Sequence, residues 1–536
     1  MTKLPAQRPS RVVIEPVRPV VDEGAHPAKA GLGEPVTVVA DVFAEGHDAV
    51  DAALRYRAVG ASGRASGWTT VQMTETGNDR WSGSFVPARL GRHEFQVIGW
   101  SNGPESWRHG TERKVDADVD VTVELVTGVA IVHELLTRAA AAKPKAPADV
   151  QRLRGWRTEL ASGHTEGLAD DWSDVFWRHT DREPLSASDV YPIDVDPELG
   201  RFSAWYEFFP RSTVSPATGH ATLRDAIDRL DYVAAMGFDV VYLPPIHPIG
   251  VVDRKGANNA VVASDADTGS PWGIADHLAV HPDLGTLDDV HALITACRAR
   301  HLELALDIAF QCTPDHPWVT EHPQWFRHRS DGSVQYAENP PKRYQDIYPI
   351  DFESADWQAM WQGLADVFRY WIDQGVTIFR VDNPHTKAFP FWEWVIADIR
   401  RDRPEVIFLA EAFTRPRVME RLAKVGFNQS YTYFAWRQSA RELREYYTDL
   451  ATRTVDYLRP NTWPNTPDIL TEQLQHGGRE TFVYRAILAA TLSANWGVYG
   501  PAFELTEHRA VRNGSEEYLD SEKYQLRSWN LDDPDS

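Results

Sequence analysis

Two apolar runs that stop at a carboxylate constrain this chain more than any other feature. In GVTIFRVDNPHTK (375–387) the β-branched run Val376, Ile378 and Val381 has the pattern of a buried strand, and it breaks into Asp382, Asn383, Pro384 and His385. Pro384 lacks the N–H that a strand ladder needs, so the strand ends at the carboxylate. Arg380 stands two residues before Asp382. That puts it on the same strand face, where a guanidinium holds a carboxylate ionised and oriented. VIFLAEAF repeats the plan, with a strand from Val406 to Leu409 that ends at Glu411. Acids at the ends of successive strands, in units separated by helices, are the pattern of a (β/α)₈ barrel's C-terminal face. A charged loop explains one such acid, but not two that come with an arginine.

The neighbouring segments alternate as a barrel requires. AWYEFFPRS (204–212) is a strand ending in a turn. ATLRDAIDRLDYVAAMG follows as a helix capped by Thr222, with Leu223, Ile227 and Leu230 on one face and Gly237 at its end. DVVYLPPIHPIG is a second strand, TLDDVHALITACRARH a helix capped at Thr286, and LELALDIAF a third strand. In SADWQAMWQGLADVFRYWIDQG the stripe Trp357, Trp361, Leu364, Phe368 and Trp371 has helical spacing and is expected in the core. The stretch from Cys312 to Pro349 is too long for a plain loop, so it is either a small inserted domain or a substrate-binding excursion.

The first part of the chain has a different texture. Over 11–120, runs such as EPVTVVADVFA, ALRYRAV, WTTVQM and GRHEFQVIGW alternate with polar turns, as in an antiparallel, immunoglobulin-like β-sandwich. Residues 105–190 are Ala- and Arg-rich, with AKPKAP as a break between helices. They are expected to form a helical insert whose boundary overlaps the sandwich. Residues 1–10 have the composition of a disordered tail. The expected fold class is therefore multidomain: an N-terminal β-sandwich, a helical insert, and a catalytic (β/α)₈ TIM barrel over 200–530 with an inserted segment at 312–349.

A net charge of −22 argues against nucleic acid or an anionic membrane as the main partner. A phosphorylated substrate would then need a local basic pocket, and Lys342 beside Arg343 and Tyr344 is a candidate, because Lys and Tyr both donate to phosphate oxygens. No apolar run has the length of a signal-peptide core or a membrane span, so the cytoplasm is expected. The cysteines, Cys297 and Cys312, fit a reducing compartment, and no cluster has metal-ligand spacing. Chemistry without a metal or cofactor is expected.

At RVD, AEAF and NTPD the chain resembles the α-amylase superfamily of retaining glycoside hydrolases and transglycosylases. The resemblance implies a nucleophile at Asp382, a general acid at Glu411 and a second aspartate at Asp468, with Arg380 holding Asp382 ionised. The third-strand motif keeps Asp307, but Gln311 and Cys312 stand where the superfamily has Asn-His, and Pro467 where a His precedes the last Asp. A starch hydrolase uses both of those histidines. RKGANN (254–259), LALDIAFQCTPDHPWV (304–319), ENPPKRYQDIYPI (338–350), NTPDIL and SEEYLDSEKYQLR (515–527) are similar to one branch, the α-1,4-glucan:maltose-1-phosphate maltosyltransferase family.

That family resemblance implies transfer of a maltosyl unit from α-maltose 1-phosphate to the non-reducing end of a 1,4-α-glucan, by a homodimer, in glycogen-like glucan synthesis. It implies Lys342, Tyr344 and Asn383 near the donor phosphate, with Asn339 reaching it across the dimer. Lys255, Asn259, Gln311, Asp346, Lys523 and Tyr524 would line the sugar subsites. The family carries a further β-sandwich after the barrel, and this sequence reaches LDDPDS (531–536) without one. Two other readings are a hydrolase or transglycosylase of the same superfamily, and an inactive glucan-binding protein.

Overall fold

The computed structural model describes residues 4, 6, 8–165, 168, 172–213, 219–339 and 342–532, and for Asn339 and Lys342 the backbone alone. The tail expected over 1–10 and the closing LDDPDS fall partly outside these residues. The chain divides into two units, Met1–Asp194 and Val195–Ser536.

In the first unit the alternation of Val36–Phe43, with Val38, Ala40 and Val42 buried, turns one strand face inward. It lies in a four-stranded sheet with Val13–Arg18, Arg80–Phe85 and Thr74–Gly77. A second sheet is built on the long antiparallel pair Val50–Ala58 and Gly91–Ser101. The sheets approach so closely that a Cβ on Gly99 would lie 2.8 Å from Val42. Four helices, Gly103–Asp116, Thr122–Ala141, Pro147–Ala161 and Trp172–His179, follow in sequence. They share their own core, in which Trp156 stacks on Trp172 at 4.0 Å. The chain then returns to the sandwich: Ser186–Ala187 and Tyr191–Asp196 both pair into the second sheet.

The second unit is a closed barrel of eight parallel strands. These are β1 (Ser203–Glu207), β2 (Val240–Leu243), β3 (Glu303–Ile308), β4 (Ile378–Val381), β5 (Ile407–Ala410), β6 (Gln429–Tyr431), β7 (Pro460–Thr462) and β8 (Asn495–Tyr499). Closure pairs β8 with β1, Asn495 opposite Ser203 and Tyr499 opposite Glu207. Trp205, Tyr242, Ala305, Ile378, Leu409, Tyr431 and Trp463 fill the interior. The expected helix after β1 is split into Leu223–Ile227 and Leu230–Ala235, the first held by a capping box between Thr222 and Asp225. Of the aromatic stripe on Trp357–Asp373, Leu364, Phe368 and Trp371 are buried, but Trp357 is 44% exposed because it opens the helix. The excursion after β3 has small elements of its own: Gln311–Cys312 pairs with Tyr348–Pro349, and Ala337–Asn339 forms a hairpin with Lys342–Tyr344. Among the described residues no helix is long and apolar enough to cross a membrane.

Candidate active site

Side chains two residues apart point to the same face of a strand, so the inward positions can be read along each strand toward its C-terminal end. On β1 they are Trp205 then Glu207, on β3 Ala305 then Asp307, on β4 Ile378 then Arg380, and on β5 Ile407 then Leu409. β1, β3 and β4 change from apolar to charged at the barrel's upper layer, whereas β5 stays apolar through Leu409 and turns charged only at Glu411. One step further, the parallel ladder continues past the strand ends: Asp382 N–H donates to Ile308 O (2.9 Å) and Glu411 N–H to Val381 O (3.0 Å). With Val381 opposite Ala410 in register, Asp382 and Glu411 emerge as neighbours.

Arg380 joins the acids. Its Nη1 donates to Asp307 Oδ2 at 2.8 Å and to Asp382 Oδ1 at 3.0 Å, and its Nη2 lies 3.3 Å from Glu411 Oε1. Asn383 makes a second bridge. It takes the left-handed conformation (φ 42°), from which its N–H donates to Glu411 Oε2 (3.1 Å) and its side-chain amide to Asp382 Oδ2 (3.2 Å). Asn is among the few residues that enter this region readily.

The two acids end with opposite tendencies. Burial alone would raise the Asp382 carboxyl, but Arg380, Lys387, the Asn383 amide and Lys523 bring it below its ordinary value. Burial pushes Glu411 up to about 7 against the pull of Arg380, and the neighbouring charges of Asp382 and Asp468 add to the rise. One acid is held ionised and the other is poised to exchange a proton near neutrality.

A second group of expected residues gathers around Trp272. Lys523 Nζ lies 2.7 Å from Asp468 Oδ1 and 5.1 Å from the Trp272 ring. Gln311 Nε2 donates to Trp272 O at 3.0 Å. Tyr524 is buried beside Lys523, and burial raises its pKa with Lys523, Asp468 and Asp346 all within electrostatic reach. Lys255 is buried and donates to Gln345 Oε1 at 2.7 Å. Burial also raises Asp346, which Lys255 and Lys523 offset. Asp346 Oδ1 is a buried acceptor without a partner, as a site awaiting a hydroxyl donor would leave it. Asn259 is half-buried with φ +63°, while its neighbour Asn258 pairs with Asp520 at 3.0 Å. Tyr344 is half-buried on the hairpin opposite Ala337. The side-chain roles expected for Asn339 and Lys342 lie outside the described residues. The same hairpin and the segment after Asp382 enclose a cleft of about 610 Å³, lined by Arg327, Tyr336, Glu338, Asp351, Thr386 and Lys387 among others. That size is within the range of ligand sites.

Sequence reasoning missed two charged groups here. Glu207 is fully buried near Arg380, Asp307 and Asp468, both its oxygens lack a hydrogen-bond partner, and burial raises its pKa well above the usual range. It is the last residue of its strand, but Phe208 and Phe209 continue the apolar run past it, so the break that marks Asp382 and Glu411 was absent. Lys387 folds back onto the turn, with Nζ 3.2 Å from Asn383 O and 3.5 Å from Asp382 O.

Two clusters have the composition of metal ligands. In His277, Cys312 and His316 the ring nitrogens form a closed chain: Trp318 N–H donates to His316 Nδ1 (3.1 Å), His316 Nε2–H to His277 Nδ1 (3.0 Å), and His277 Nε2–H to Ala309 O (2.9 Å). Burial lowers the pKa of His277 to about 4 and of His316 to about 2, consistent with a neutral pair. In His220, His281 and Asp283, burial lowers both imidazoles and the nearby Arg211 adds to it, a positive charge that opposes a cation.

Residues 10–197 match the family model described as alpha-1,4-glucan:maltose-1-phosphate maltosyltransferase, domain N/S, and residues 207–377 match that of the alpha amylase catalytic domain. The chain is similar to the alpha-1,4-glucan:maltose-1-phosphate maltosyltransferase of Chlorobaculum tepidum, 50% identical over 535 residues covering 98% of this chain and 78% of the relative. It is 49% identical to maltosyltransferase 2 of this name from Streptomyces coelicolor over 531 residues, 97% of this chain and 78% of the relative. With the Mycolicibacterium smegmatis enzyme of the same name it shares 46% identity over 561 residues, 97% of this chain and 80% of the relative.

Proposed function

This chain belongs to the α-1,4-glucan:maltose-1-phosphate maltosyltransferase family, glycosyltransferases built on the α-amylase barrel, and we propose that it performs the transfer by retaining double displacement. Asp382 attacks the anomeric carbon of α-maltose 1-phosphate. The bond to the phosphate oxygen breaks, phosphate leaves, and a β-maltosyl-aspartyl ester remains. Glu411 protonates the departing oxygen, then takes the proton from the 4-hydroxyl at the acceptor's non-reducing end as that oxygen attacks the anomeric carbon, whose bond to the Asp382 oxygen breaks to release the carboxylate. Phosphate is already a good leaving group, so Glu411 contributes more to the second step than to the first.

The observation that carries this reading is the opposed pair, Asp382 held low and Glu411 at about 7 on one guanidinium. Asp468 would hydrogen-bond sugar hydroxyls more tightly in the oxocarbenium-like transition state. The groups Lys255, Gln311, Asp346, Lys523 and Tyr524, buried or half-buried, are suited to the donor's two sugars, with Asn259 at the edge. Asn383, Tyr344, Lys342 and Asn339 would receive the phosphate. Action as a homodimer, in the cytoplasm, on a glycogen-like glucan belongs to the same proposal and is supported by the family likeness.

The test is phosphate release from α-maltose 1-phosphate with maltohexaose, with products read by mass spectrometry. Phosphate with products that grow by two hexoses at a time is expected. Chain cleavage or disproportionation without phosphate would instead identify a hydrolase or transglycosylase, and glucan binding without turnover an inactive module.

A further inference from the structure

We infer that Lys387 is a positioning residue for the catalytic pair: its ammonium anchors the backbone turn at Asn383 and sets a second positive charge beside Asp382 and Glu411. This rests on the reading of those two acids as nucleophile and acid/base.

The turn is a mechanical link. From its left-handed conformation Asn383 reaches both carboxyls, with its N–H on Glu411 and its amide on Asp382. That conformation costs a non-glycine residue roughly 1 kcal/mol or more, so something must hold it. The anchor acts on the opposite side of the turn, at the carbonyls. Asn383 O accepts from Thr386 N (3.1 Å), Thr386 Oγ1 (2.8 Å) and Lys387 Nζ (3.2 Å). Lys387 Nζ also approaches Asp382 O at 3.5 Å. Thr386 therefore shares the hydrogen bonding, and what Lys387 adds is charge.

That charge acts where it matters. Lys387 is half-buried, so its field is weakly screened, and after Arg380 it is the next cation to depress Asp382. The other charges facing the pair are Arg380 beneath it, Asp307 from β3, Glu207 from β1, and Asp468 with Lys523 from the loops beyond β7 and β8. His385, on the turn itself, is kept toward its neutral form by burial and by Lys387. Lys387 lines the cleft together with Thr386 and Ala388.

The test compares kcat/KM for phosphate release against pH in the parent chain, K387M, K387R and T386V. Removing a nearby cation raises the pKa of a carboxyl. K387M should therefore lose roughly tenfold or more in kcat/KM, as expected for a charged hydrogen bond, with both limbs of the profile displaced to higher pH. K387R should return the limbs to their parent positions, and T386V should leave them in place. A K387M profile with unmoved limbs, or a K387R profile displaced like that of K387M, would overturn the inference. Should K387M fail to fold by circular dichroism, K387Q carries the same comparison. A parent chain that releases no phosphate counts against the functional reading alone. Lys387 is then judged by ¹³C NMR titration of the Glu411 carboxyl, assigned with E411Q: an upward midpoint shift in K387M supports the inference and an unchanged midpoint overturns it.

Discussion

At the scale of single residues, the candidate site depends on Arg380. One buried guanidinium touches Asp307, Asp382 and Glu411, so neutralising it would strand three acids in the barrel mouth. Breaking a buried ion pair from one side typically costs about 3–5 kcal/mol. The same arrangement dictates a pH dependence. Glu411 must carry its proton to act as an acid, and its pKa stands at about 7 rather than the ordinary 4.5. Activity should therefore fall as pH rises through about 7, because that proton is lost. In E411Q the alkaline limb should vanish from kcat/KM for the donor across pH, and transfer to the acceptor should slow by about 10²–10⁴-fold. An E411Q profile that keeps the limb would assign it to another group, Asp307 being the neighbour that burial also pushes up to about 7.

At the scale of elements, what was legible in the sequence follows from strand geometry. β4 and β5 announce themselves because a long enough apolar run precedes each acid and a helix follows. β6 and β7 are three residues each, too short for any hydrophobic pattern to develop. In the first unit the returning strands Ser186–Ala187 and Tyr191–Asp196 were hidden for a similar reason: what defines them is pairing with Gly91–Ser101 and its neighbours, far away in sequence. Lys387 shows the limit at the site. Its place in VDNPHTK was plain, but only the fold-back of the Pro384–Thr386 turn brings its ammonium to Asp382. The pairing of Asn258, rather than Asn259, with Asp520 likewise depends on a contact 262 residues apart.

The elements also fix where small residues are obligatory. Gly497 on β8 faces Trp463, and a Cβ there would stand 2.3 Å from the indole ring. G497A should destabilise the barrel by about 1–3 kcal/mol through overpacking, seen by calorimetry as a lower Tm. Gly155, with open space where its Cβ would lie, is the contrast. In the helix Pro147–Ala161, G155A should stabilise by about 0.5–1 kcal/mol. A G497A protein that melts with the parent would mean that the indole can move aside.

At the scale of the whole molecule, a chain of net charge −22 keeps a small cationic set at its candidate site. Lys255, Arg380, Lys387 and Lys523 are all drawn into the barrel mouth, and each is held by an acid, an amide or a backbone carbonyl of the site. The bulk field repels anions, so recognition has to be local, and the barrel supplies it by bringing β3, β4, β5 and the loops beyond them together. In the proposed double displacement Asp382 takes the maltosyl unit covalently. This step is tested most directly by incubating E411Q with α-maltosyl fluoride, whose leaving group needs no acid, and sequencing the modified peptide by mass spectrometry. One maltosyl unit on the peptide that carries Asp382 is the predicted result. A turned-over donor with no adduct, or an adduct on Asp468 or Glu207, would contradict it.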